Sequence, residues 1–549
     1  MREEEKVTVS LKESHVLIID DFQGMRAMLR DFVKSIGVAR IDVASNSKEA
    51  ISLLSANKYD VVICDYNLGP GPNGQQILEE AKLRKHIGYA TIWVIVTAEK
   101  TMDMVMGAAE TKPDDYLLKP LNEAMLEGRL QKLIAKKQSL GDIEKAVNAQ
   151  DYITAIALCD RQLKAQPANL QEILRIKSDL LLTVGDYEAA KALFDKILAV
   201  RNVPWAKTGM GKVYFFTKEY LRAKEILQEV LEENRMYMEA ADWLAKTLES
   251  LGDSEQAQQV LLKAMELSPN SPVRQKSLAE AAHKNGALDI AQTAYEKSIK
   301  LSEFSVHKSP AVYAGLAKVF TDKGVPEEAL KVLEHSKGEF KDNAEAAVQA
   351  AVVESMVYQK MGQTDKAEAA IAEAEKLAES LSGKVSAEIT MDMAKSLFQL
   401  GEKEKACGLL QTVVKNNHEN TEIISQVEAV FQSEQLGEEG ESLIEESKQE
   451  VININNQGVM LARESKFEEA VELLRKAVQS LPNSEVMLMN LCGMLIGLMK
   501  KTGKDDSLVY EAKNLLDRAR ELNPTNNNKK HSEYASALNS DQSWEIRVG

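Results

Sequence analysis

Asp20 and Asp21, Asp65, Thr97 and the pair Lys119 and Pro120 each stand at or just beyond the end of a short β-branched run. An Asp-Asp pair alone is usually a turn or a helix cap, and a Lys-Pro pair alone is usually a loop. Together, at the ends of separate runs, they describe an acidic cleft with one cation at its rim. Carboxylates held about 4 Å apart repel by ~4 kcal/mol per pair at an effective dielectric near 20. Such a cluster calls for a positive ion. An all-oxygen donor set in an open cleft suits Mg²⁺, which keeps several waters and takes one or two carboxylates.

The elements that would position these groups read as alternating strands and helices. The strand-like runs are His15–Asp20, Ile41–Ala44, Asp60–Cys64, Thr91–Thr97 and Tyr116–Leu118. Helix-like stretches lie between and after them, near 23–36, 47–57, 74–85, 101–110 and 121–136. Strands alternating with helices imply a parallel sheet with helices on both faces. In such a doubly wound sheet the loops at the carboxyl ends of the strands form a crevice where the strand order reverses.

Over residues 12–137 this set resembles the receiver domain of two-component response regulators. The steps from Asp21 to Asp65, Asp65 to Thr97 and Thr97 to Lys119 are 44, 32 and 22 residues, spacings that fit the family. The resemblance implies a flavodoxin-like α/β fold in which Asp65 accepts a phosphoryl group from a histidine kinase or phosphotransfer protein. Asp20, Asp21, Asp65 and the main-chain carbonyl of Asn67 would hold Mg²⁺. Thr97 would bond the phosphoryl oxygen and Lys119 would pair with it, with Lys119 and Pro120 joined by a cis peptide. Tyr116 occupies the family's aromatic switch position, although an aromatic there also serves plain core packing. Asn67 and Glu99 resemble the residues of short-lived, chemotaxis-type receivers. Two departures stand out: the loop Gly69-Pro70-Gly71-Pro72-Asn73-Gly74 is one residue longer than the common form, and Lys112-Pro113 replaces the usual Gly-Ala.

After residue 137 the strand pattern stops. A phrase of turn residue, spacer, aromatic or leucine and Ala-rich helix recurs, with its small residue at Ala155, Ala190, Ala223, Ala257, Ala291, Ala329, Ala367, Ala406 and Ala470. The first steps are 35, 33, 34 and 34 residues and the next three are 38, 38 and 39. These resemble tetratricopeptide repeats, helical hairpins that stack into a superhelix with an extended binding groove. The array is expected over 138–524 as about ten hairpins, least regular near 415–460, where a degenerate repeat or a bend is expected. Tyr187, Tyr220, Tyr295 and Phe467 read as packing residues between hairpins. Trp205, Trp243 and Arg235 are candidate groove anchors, with core packing the competing reading for the tryptophans. An acidic tail is expected over 1–11, and disorder over the polar stretch 525–549.

Composition narrows the function. Net charge is −16, which disfavours tracking a nucleic-acid backbone. No apolar run reaches the ~20 residues of a membrane span, and the charged start MREEEKVTVS lacks a signal-peptide core, so a cytoplasmic location is expected. Cys64, Cys159, Cys407 and Cys492 lie far apart, as buried reduced thiols rather than a disulfide or zinc framework. No downstream enzymatic or DNA-binding motif appears. The expected output is therefore protein–protein interaction through the repeats, with a protein or peptide in the groove and no enzyme activity beyond the receiver's own phosphoryl chemistry. A constitutive scaffold with the receiver as docking module, or a phosphate sink for a kinase, are the alternatives.

Overall fold

The computed structural model describes residues 11–98, 106–107, 110–165, 167, 169–523 and 529–539. Five parallel strands, β1 His15–Ile19, β2 Arg40–Ala44, β3 Val61–Asp65, β4 Ile92–Thr97 and β5 Asp115–Leu118, form one sheet in the order β2-β1-β3-β4-β5. This is the flavodoxin-like order, and it reverses at β1, whose neighbours are β2 and β3. Every residue of β1, β3 and β4 is buried, as their near-continuous apolar runs require when both sheet faces are covered.

Alternation along β1 divides the core. Val16 and Ile18 pack with Leu29 and Val33 of α1 (Gln23–Ser35) and with Leu126 and Leu130 of the helix Glu123–Lys137. Leu17 and Ile19 face the other way, onto Ala50 and Leu54 of α2 (Ser47–Ala56) and Ile77 and Leu78 of α3 (Gly74–Leu83). Each fully buried aliphatic side chain contributes about 1.5–3 kcal/mol, so the two layers fix the strand ends firmly. The stretch expected as a helix over 101–110 lies mostly outside the described residues; Met106, Gly107 and Glu110 are helical.

The chain divides into two compact units. The first joins the sheet domain to the helices that follow it, through residues 187–281 and 296–308. No flexible linker separates them: the helix Glu123–Lys137 passes through a single 3₁₀ turn, Gln138–Leu140, into the helix Gly141–Asn148. Asn169 Nδ2 donates to the Lys136 carbonyl at 2.8 Å, and Ala90 N donates to Glu144 Oε2 at 2.6 Å, tying both sides of the junction.

The second unit holds residues 183–186, 282–295 and 309 onward. Its helical hairpins include Pro310–Asp322 with Pro326–Glu339 and Ala344–Lys360 with Thr364–Ser380. Three features differ from expectation. First, the stretch expected as degenerate keeps the repeat's own turn: Gln435 takes the left-handed position at φ 60°, as Gln150, Lys218 and Ser465 do at other turns, and Gly440 takes the small-residue place of the phrase. A Cβ at Gly440 would lie 2.4 Å from the Phe431 ring, so only glycine fits. Second, the helix that follows is a single piece of 27 residues, Gly437–Arg463, with no break between consecutive repeats. Third, part of the tail expected to be disordered is a helix, Lys529–Asn539, whose Ala535 and Leu538 are buried in a cluster with Leu491 and Leu495. Tyr534, Ala535, Ala537 and Leu538 form one short apolar face there, despite the polar composition around them.

Candidate functional site: an acidic cleft at the strand switch point

Parallel register sets the ends of β1 and β3 side by side, with Ile19 opposite Cys64 and Asp65 opposite Val96. Asp20 and Asp21 leave β1 just where Asp65 closes β3. Carboxylate oxygens of Asp20, Asp21 and Asp65 all lie within 4.8 Å of one another. Asp20 and Asp65 are buried and Asp21 is exposed, so the cluster opens to solvent on one side.

Lys119 supplies the cation. Its Nζ donates to Asp65 Oδ2 at 2.9 Å and to Asp20 Oδ2 at 3.0 Å. The remaining carboxylate oxygens accept main-chain donors: Phe22 N to Asp20 Oδ1 and Tyr66 N to Asp65 Oδ1, both at 2.8 Å. Burial pushes the Asp65 carboxyl above its usual range, against the pull of Lys119. Burial lowers Lys119 in turn, but Asp65 and Asp20 outweigh it and hold the ammonium charged. Cys64 beneath is pushed up by burial first and then by Asp65 and Asp20, and stays a thiol.

The loops fix this geometry. Lys119 N donates to the Thr97 carbonyl at 2.8 Å, and the bond from Lys119 to Pro120 is cis. Thr97 is buried at the end of β4. Asn67 lies exposed two residues beyond Asp65, its Oδ1 accepting from Gly69 N. The long loop closes on a capping box in which Asn73 and Gln76 bond reciprocally at the start of α3. Gly74 is obligatory there, because a Cβ would stand 2.2 Å from the Asp65 carbonyl oxygen.

Asp20, Asp21, Asp65 and Lys119 thus meet in one cleft; Thr97 ends the neighbouring strand β4, and Asn67 stands in the loop that follows Asp65. Tyr116 is half-buried against the core cluster of Trp93 and Ile95, and serves packing whatever else it does. Glu99 lies outside the described residues. Trp205 stacks edge-on to Phe194, and Trp243 to Phe215 and Phe216, as repeat packing, while Arg235 is exposed. Sequence reasoning missed Arg274, which is 2 % exposed and reaches the sheet domain's Glu110 at 3.3 Å.

Residues 16–131 match the response regulator receiver domain family. Residues 239–271 and 391–417 match tetratricopeptide repeats. The chain is 26% identical over 125 residues to chemotaxis protein CheY-3 of Vibrio cholerae, covering 23% of this chain and 95% of that protein. It is 25% identical over 121 residues to chemotaxis protein CheY of Pseudomonas aeruginosa, covering 22% of this chain and 96% of that one. Among solved structures, MamA matches 32% of this chain and 97% of its own at 20% identity, with a TM-score of 0.29. With the β2-β1-β3-β4-β5 sheet and the cleft at its switch point, the family matches over 16–131, 239–271 and 391–417 identify a response regulator receiver domain followed by a tetratricopeptide repeat region.

Proposed function

We propose that the protein is a phosphorelay response regulator that accepts a phosphoryl group on Asp65 and uses it to change what its repeats bind. The observation that carries this reading is the contact of Lys119 with both Asp20 and Asp65 beside the Asp21 carboxylate. Lys119 offsets only part of the negative charge of three carboxylates. The all-oxygen set fits Mg²⁺, held by Asp20, Asp21, Asp65 and the main-chain carbonyl of Asn67. When bound, the ion neutralises charge on the incoming phosphoryl oxygens.

Asp65 is a weak nucleophile, and catalysis here is positioning and charge neutralisation. Its oxygen bonds to phosphorus as the phosphorus–nitrogen bond of a histidine donor breaks. Lys119 leaves the free carboxylate for the new phosphoryl oxygens, and the Thr97 hydroxyl donates to another. The product adds roughly 1.5–2 negative charges at the end of β3. It biases two existing arrangements of the domain, rather than building a new one. The repeats are the output, binding a partner protein, and we assign no enzymatic output to them. A cytoplasmic setting fits this chemistry; no helix among the described residues is long and apolar enough to cross a membrane.

Incubation with acetyl phosphate and Mg²⁺ tests the reading. Intact mass should show one hydroxylamine-labile phosphoryl adduct, absent in Asp65→Asn. An unchanged mass in the wild type, or an adduct that survives Asp65→Asn, removes it.

A further inference from the structure

Within the first unit, Met106, Glu110 and Lys112 on the edge of the sheet domain meet a surface of the repeats. Met106, 2 % exposed, packs into a cup of Met238, Ala241 and Ala264. Four residues on, Glu110 Oε1 accepts from Ser268 Oγ at 2.7 Å and from Arg274 Nη1 at 3.3 Å. Two residues further, Lys112 Nζ meets Glu239 Oε2 at 3.1 Å. A cavity of about 680 Å³, lined by Gln75, Lys82, Trp243 and His307 among others, runs alongside this contact.

Each charged group on the repeat side already has a partner of its own there. Asp242 grips Arg274 in a bidentate pair, at 2.7 Å to Nε and 2.9 Å to Nη2, which aims Nη1 outward. Lys212 holds Glu239 at 2.5 Å. Withdrawing the sheet-domain edge therefore strands no buried charge, the event that makes breaking a buried pair costly. Among the described residues, the contacts it gives up are the Met106 side chain, the Ser268 hydrogen bond, and the pairs of Glu110 with Arg274 and of Lys112 with Glu239. A preformed surface held by a weak ligand at high local concentration has the thermodynamics of an exchangeable site, not of a structural seam.

We propose that this surface is the repeats' recognition site for a partner segment presenting an unbranched apolar side chain, a carboxylate four residues on and a cation two beyond it. The sheet domain's own Met106–Lys112 edge is its resident competitor. Only the further step, release of that edge by phosphorylation, rests on the function proposed above.

Two measurements on the full-length chain test this. Zero-length carbodiimide cross-linking reads the resident contact as a Lys112–Glu239 linkage. Fluorescence anisotropy reads binding of a synthetic peptide with the sequence of residues 101–115. Glu110→Lys, which sets a cation against Arg274, should lower the linkage at least fivefold and tighten peptide binding at least fivefold. The same peptide carrying lysine in place of its glutamate should not bind. Lys112→Glu, repelled by Glu239, should also tighten peptide binding and guards against a folding defect in the first variant, with both checked by thermal melting. No linkage in the wild type, or lost linkage with no gain in peptide binding, overturns the proposal. Beryllofluoride supplies a separate arm. If Glu110→Lys opens the site and beryllofluoride with Mg²⁺ does not, the phosphoryl switch fails and the recognition site stands.

Discussion

At the residue scale, the cleft depends on one cation and one missing side chain. Lys119 faces Asp20 and Asp65 together, so Lys119→Met leaves two buried carboxylates against each other and removes the charge that meets the incoming phosphoryl group. Loss of one preorganised electrostatic partner typically costs 10²–10³-fold in rate. The rate of adduct formation from acetyl phosphate should fall by about two orders of magnitude, while far-ultraviolet dichroism stays unchanged. A drop of less than threefold would mean Lys119 is only structural. Gly74 makes the second case. A Cβ there meets the Asp65 carbonyl oxygen at 2.2 Å, whereas one at Gly128 meets nothing within 4 Å. Gly74→Ala should destabilise the sheet domain by about 1–3 kcal/mol and displace Asp65. Gly128→Ala, inside the helix Glu123–Lys137, should stabilise it by about 0.5–1 kcal/mol. Thermal melts of both variants check the contrast.

At the scale of elements, legibility followed burial. The strands of the sheet domain could be read because β1, β3 and β4 are covered on both faces, so their sequences are unbroken apolar runs flanked by polar ends. Those polar ends are the cleft, and Asp20, Asp21, Asp65 and Lys119 were visible for that reason. The unit turning at Gln435 reads as degenerate because Gly440 stands where the other phrases carry alanine; its non-glycine turn is shared with Gln150, Lys218 and Ser465. The helix Lys529–Asn539 was hidden by its polar composition. Its docking carries a pH signature. His531 is 2 % exposed, and burial, then repulsion from Arg520, lowers its pKa from the ordinary value to about 4. A histidine held neutral in the docked state gives up stability as pH falls, because the undocked helix takes the proton first. The docked helix should be fully stable above pH ~6.5 and weaken progressively toward pH 4, by on the order of 3 kcal/mol at the limit. Hydrogen exchange over 529–539 at pH 7 and pH 5 should show protection lost at the lower value, and His531→Leu should flatten the difference. Equal protection of the wild type at both values would contradict the assignment.

At the scale of the whole molecule, the contacts between the sheet domain and the repeats within the first unit include the covalent junction at 137–141, the edge carrying Met106, Glu110 and Lys112, and the pair of Glu79 with His307 at 2.9 Å. The junction and the edge are thermodynamically linked. Bonds from Asn169 to Lys136 and from Glu144 to Ala90 hold the junction in one orientation, so the edge is presented to Arg274 and Glu239 already aligned. A weak contact persists under those conditions because its effective concentration is high. Inserting ten Gly/Ser residues after Ser139 breaks that alignment while leaving the acidic cleft and the repeat surface intact. A flexible tether of that length provides an effective concentration in the mM range, falling with length. The Lys112–Glu239 cross-link should therefore drop several-fold, and the 101–115 peptide should bind correspondingly tighter, with adduct formation at Asp65 unaffected. An undiminished cross-link would instead mean that the edge holds by its own affinity. The junction would then be a mere connection, and a signal leaving Asp65 would pass through the non-covalent contacts instead.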